Sequence, residues 1–121
     1  MLGNGCWYPD AIDPAAQNFH LVKTTRAGLV GAAFLDERWD RSGFERQTLP
    51  VREAATVAAP AQSPRFIWHT AFCCSTLLAR CLDKPGQNLS LKEPAALMTV
   101  ANLRRTHGSD LARSWLQPTL S

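Results

Sequence analysis

The stretch Pro64-Arg-Phe-Ile-Trp-His-Thr-Ala-Phe-Cys-Cys-Ser-Thr-Leu-Leu-Ala-Arg-Cys-Leu-Asp83 changes its period in the middle. Phe66 to Thr70 is aromatic and β-branched, which suits a buried strand, whereas Leu77, Leu78, Cys81 and Leu82 recur at helical spacing. A strand feeding a helix through a short loop leaves the first N–H groups of the helix unpaired and aimed into one concavity. With the Ser75 and Thr76 hydroxyls beside them, such a turn is built to receive an oxyanion. The same pattern also describes an ordinary strand–turn–helix connection capped by Ser75, which binds nothing.

His69-Thr-Ala-Phe-Cys-Cys-Ser-Thr-Leu-Leu-Ala-Arg80, followed by Leu91-Lys-Glu-Pro94, resembles the opening strand–loop–helix and second strand of the sulfotransferase-like branch of P-loop proteins. In that family a loop of the type Arg-Ser-Gly-Ser-Thr-Leu-Leu cradles the 5′-phosphosulfate end of the donor PAPS. The chain is more closely similar to a group of uncharacterised bacterial sulfotransferase-like proteins with a Phe-Cys-Cys-Ser-Thr-Leu-Leu-Ala-Arg loop. The likeness runs from about Arg65 to Arg105, with an echo at Ala32-Ala-Phe-Leu-Asp-Glu-Arg38.

The resemblance implies an α/β fold, a partial P-loop NTPase-like or sulfotransferase-like three-layer arrangement with a short parallel sheet. It also implies PAPS or PAP as cofactor, with Phe72, Cys73, Cys74, Ser75 and Thr76 around the phosphate or sulfate. Asp36 and Arg38 are then expected near the same site, the alternative being a surface ion pair. Two residues depart from the family pattern. Phe72 stands where a basic residue is usual, and Cys74 where a glycine tolerant of positive φ is usual. No Gly-x-x-x-x-Gly-Lys-Ser/Thr run is present, so a conventional ATP or GTP loop is excluded.

The chain of 121 residues has room for one domain, and its 45% hydrophobic and 19% charged content is that of a soluble globular protein. A net charge of +3 suits an anionic nucleotide or small-molecule ligand, but the Lys and Arg are scattered and argue against nucleic acid. No run approaches the ~18 apolar residues of a membrane span. Four Cys without an apolar leader in Met1 to Pro14 suggest a reduced, cytoplasmic protein.

Residues 1–63 read as an N-terminal arm, a helical segment and a linker, and residues 64–121 as a strand–loop–helix half-domain. Doubly wound folds usually carry about five strands, so the expectation is a truncated or N-terminal part of a longer protein, with oligomerisation open. Met1 to Gln17 reads as an irregular arm anchored by Trp7 and Tyr8. Phe19 to Val22 alternates as a short strand with His20 outward, and Thr24 or Thr25 caps a helix over Arg26 to Glu37. Lys84-Pro-Gly86 ends the central helix, and Leu89 and Leu91 suggest a second strand carrying Lys92 and Glu93 at its carboxyl end. Pro94 starts a helix that Gly108 stops, and Ser109 or Asp110 caps a last short helix, Leu111 to Leu116, that Pro118 ends.

Three chemistries are open at this stage. In sulfuryl transfer, His69 or Lys92 supplies the cation that Phe72 does not, and Glu93 acts as general base or orients the acceptor. Glu93 is equally explained as an acidic residue favoured by a helix N-terminus. The second reading is a Cys73 or Cys74 thiolate activated at a helix N-terminus; a metal would need His69 and Cys6 to converge with these thiols, and none is expected. Cys81 reads as core. The third is a non-catalytic interaction module.

Overall fold

The computed structural model describes residues 5–54, 56, 64–70 and 73–120. Its elements are β1 (Cys6–Asp13), β2 (Asn18–Thr24), α1 (Arg26–Gly31), β3 (Arg46–Pro50), α2 (Val51–Ala54), α3 (Ser75–Leu82), α4 (Ala95–His107) and α5 (Ser109–Leu120). The three strands form one sheet in the order β1-β2-β3, and both pairings are antiparallel.

The expected short parallel sheet is therefore overturned. The strands that pair come from residues 6–50, whereas the two segments read as parallel strands do not enter the sheet. Among the described residues, 64–70 are exposed and belong to no strand, and the chain near Leu89 makes only an isolated bridge, Lys84 to Asn88. A P-loop sheet needs a crossover between parallel neighbours. Here the neighbouring strands β1 and β2 are instead joined by a tight turn.

That turn is written in the sequence. Asp13 Oδ1 accepts hydrogen bonds from the amides of Ala15 and Ala16, both at 3.0 Å, and Gln17 takes a left-handed φ of 56° before β2 begins. The register then pairs Ile12 with Phe19 and Tyr8 with Val22, with a shift between Pro9 and Ala11. The extra residue reverses the alternation, so Tyr8 and Ile12 serve opposite faces although they are an even number apart.

Each face closes its own core. Ile12, Phe19 and Leu21 pack with Ala96, Val100 and Leu103 of α4 and Ala112 and Trp115 of α5, which joins residues from both sides of the 57–63 segment. Tyr8 and Val22 on the other face pack with Leu29 and Leu35. The helix expected over Arg26 to Glu37 stops at Gly31, where Ala32 turns to extended backbone. Thr25 caps its start by accepting from Gly28 N, and Gly28 fits because a Cβ there would meet Thr24 Oγ1 at 2.5 Å. Released from the helix, Ala32 to Arg38 is free to reach across to Lys92.

Candidate functional site

Helix α3 begins abruptly. Cys74 has φ 61° and ψ 22°, in the left-handed region, and Ser75 already belongs to the helix. A left-handed residue followed by a helical one turns successive amide hydrogens toward one concavity. Leu78 N donates to Cys74 O at 3.1 Å, closing the first turn, while no side chain of the described residues caps the start. Ser75 and Thr76 are half-buried beside this concavity, and Cys73 and Cys74 are exposed.

The left-handed conformation falls at the position where a glycine would ordinarily be used. An L-residue pays about 1–2 kcal/mol there. Cys74→Gly is accordingly expected to stabilise the chain by about 0.5–1 kcal/mol, and Cys74→Val to destabilise it by about 1–2 kcal/mol, because a β-branched side chain fits φ > 0 worst. Urea titration followed by circular dichroism reads both.

The far end of α3 is pinned. Asp83 Oδ2 accepts from Arg26 Nη2 at 2.6 Å, and Asp83 Oδ1 accepts from the Ser90 amide at 3.0 Å. Arg26 Nη2 also donates to Asn88 O at 2.7 Å. One carboxylate thus fastens α3, α1 and the turn before Ser90 together. Sequence reading missed this clasp, because Arg26 and Asp83 are far apart in the chain and neither belongs to a motif.

A second group of polar residues gathers before α4. Leu35 N donates to Lys92 O at 2.8 Å and Ala95 N donates to Leu35 O at 3.0 Å, which stitches the Ala32 to Arg38 loop to the start of α4. Leu35 is fully buried and acts as the button. Arg38 Nε donates to both oxygens of Asp36, at 3.0 and 2.9 Å, and Arg38 Nη2 reaches Glu93 Oε2 at 2.9 Å. The guanidinium also lies 3.7 Å from the Phe34 ring centroid. These hydrogen bonds hold the Asp36 carboxyl below the usual carboxylate range, and the same partner pushes the Arg38 guanidinium up. Glu93 itself has φ 50°, a left-handed non-glycine residue separated from α4 by its N-cap, Pro94.

His69 joins this group from the exposed 64–70 segment, its Nε2 lying 3.9 Å from Glu93 Oε1. Asp36, Arg38, Glu93 and His69 therefore form one chain of alternating charge and imidazole. Lys92 does not join them. Its side chain is buried, and Nζ donates to Val30 O at 2.6 Å, closing the carbonyl end of α1. Burial, with the charge of Arg80 second, pushes the Lys92 ammonium down from its ordinary value. Lys92 thus acts here as a helix C-terminal cation rather than one turned toward a ligand.

Phe72 lies outside the described residues. Cys81, expected in the core, is exposed, because of α3 only Ala79 is buried. Cys6 is half-buried in β1, and that burial pushes its thiol up. Among the described residues no three His, Cys, Asp or Glu side chains come within reach of one metal ion, and no helix is long and apolar enough to cross a membrane. Two hollows on the described surface, about 450 Å³ lined by β1, β2 and β3 and about 380 Å³ at the β1–β2 turn and the start of α2, have no residue of α3 in their lining. In comparison with known proteins, no family model, no curated protein and no solved structure matches the chain.

Proposed function

We propose that this chain binds a phosphate- or sulfonate-bearing small molecule at the Cys73 to Thr76 turn, with PAPS or PAP as the ligand class that the Ser-Thr-Leu-Leu resemblance favours. The observation that carries the reading is the left-handed Cys74 leading directly into an uncapped α3. Outward amides, the Ser75 and Thr76 hydroxyls and the positive end of the helix dipole are the groups that recognise an oxyanion. In sulfuryl transfer the S–O bond to the donor phosphate breaks as a new S–O bond forms to the acceptor oxygen. Glu93, fixed by Arg38, is the base that takes the acceptor's proton in this reading, and His69 beside it offers an imidazole N–H to the transferred group. Four free thiols fit a reducing, cytoplasmic setting.

Isothermal calorimetry with PAP, PAPS, ATP and pyrophosphate tests the binding. Saturable heat is expected with PAP or PAPS. Each of Ser75→Ala and Thr76→Ala removes one hydrogen bond to a charged oxygen, about 1.5–3 kcal/mol, so binding weakens about 10- to 100-fold. Silence with all four ligands, or heats unchanged in both variants, overturns the reading.

A further inference from the structure

Residues 64–70 belong to no helix or strand and are exposed throughout, although Phe66, Ile67 and Trp68 lie at their centre. Trp68 is 89% exposed, Phe66 48% and Ile67 42%. The Phe66 and Trp68 rings stack on one side, with centroids 5.9 Å apart and planes at 25°. Among the described residues the backbone of this segment makes no hydrogen bond to another element. An exposed apolar segment of aromatic and β-branched residues lying outside the sheet is a template for another strand.

We infer that the chain forms a two-fold dimer in which residues 65–69 of two copies pair as antiparallel strands centred on Ile67. The sequence is self-complementary in that register. Phe66 of one copy falls opposite Trp68 of the other, twice by symmetry, which forms two cross-strand aromatic pairs. Arg65 falls opposite His69, whose neighbour is the Glu93 carboxylate, so a cation meets a negatively charged partner at each end. Pro64, which lacks an N–H, marks the start of the ladder.

The area is sufficient for a weak dimer. With aromatic side chains of about 150–250 Å² each, the exposed parts of Phe66, Ile67 and Trp68 offer on the order of 400 Å² per copy. That is about half of the roughly 800 Å² per partner in a standard interface, the size of a weak, transient association. The expected dissociation constant is on the order of tens of micromolar.

Sedimentation velocity and light scattering from about 10 to about 500 μM test this. The full chain should pass from monomer to dimer over that range, with amides 65–69 becoming protected from hydrogen exchange as dimer accumulates. Trp68→Lys and Ile67→Pro should each weaken association at least about tenfold. Near-ultraviolet circular dichroism, reporting buried Trp115, confirms that the variants remain folded. A monomer across the range overturns the inference, as does a dimer that both folded variants retain, assembly that continues beyond two copies, or protection appearing in β3 instead.

Discussion

Trp115→Ala is expected to lower stability by about 3–5 kcal/mol. Trp115 is the largest fully buried side chain and packs edge-on to Phe19, with ring centroids 5.1 Å apart and planes at 61°. It carries α5 into the same cluster that seats α4 on the sheet through Val100 and Leu103. Removing the indole empties the point where both helices and β2 meet. Native domains are stable by only about 5–15 kcal/mol, so the variant loses a large part of what it has. Leu116→Ala, one residue along and 37% exposed, is the control and should cost under about 1 kcal/mol. Urea unfolding followed by far-ultraviolet circular dichroism measures both without depending on the tryptophan signal. A Trp115→Ala midpoint equal to that of the control would contradict the packing of α5 on the sheet.

Asp10→Ala is expected to cost about 2–4 kcal/mol, the second largest effect. The carboxylate sits at the β1 irregularity and accepts from Arg41 Nε and Nη2, each at 2.6 Å, while Arg41 Nη1 donates to Trp39 O at 2.6 Å. Both side chains are largely enclosed, and the Asp10 hydrogen bonds push the Arg41 guanidinium further up. Deleting one partner leaves a cation facing Tyr8 and Trp39 with no counter-charge. The double variant Asp10→Ala, Arg41→Met removes the orphaned charge and should recover most of the loss. The exposed Lys23–Glu45 pair, 2.8 Å long, is the contrast: Glu45→Ala should cost less than about 1 kcal/mol. If Asp10→Ala is as mild as Glu45→Ala, the Asp10–Arg41 bond does not organise this face.

What the sequence made legible, and what it hid, follow from where the pairing partners lie. Phe19, His20 and Leu21 alternate, and the segment became β2, the central strand, with Val22 turned to the core on the other face. Pro94 and Gly108 framed α4 as expected because both signals act locally through the backbone. β1 was hidden by Pro9 and by the extra residue at Asp10, which break the alternation that marks a strand. β3 was hidden because Arg46, Gln47 and Thr48 are exposed, so its pairing rests on backbone bonds that leave no apolar pattern. Phe66 to Thr70 misled in the opposite way. Its composition is that of a buried strand, but β propensity measures fit to a surrounding sheet, and no strand of the described chain lies beside it.

The candidate site was legible in parts. The left-handed turn occurs at Cys74, the residue that departed from glycine, and Arg38 does reach Glu93, although Lys92 turns away to α1. That last contact had no sequence signal, since Val30 contributes only its backbone carbonyl. The Asp83–Arg26 clasp was equally silent.

An amide NMR titration with PAP, paralleled by pyrophosphate, tests the oxyanion turn most directly. The expected result is saturable shifts concentrated at the amides of Cys74, Ser75, Thr76 and Leu77, lost together in Ser75→Ala, Thr76→Ala. Shifts that scatter over surface Lys and Arg, or amides at the head of α3 that stay still at saturating ligand, would contradict it.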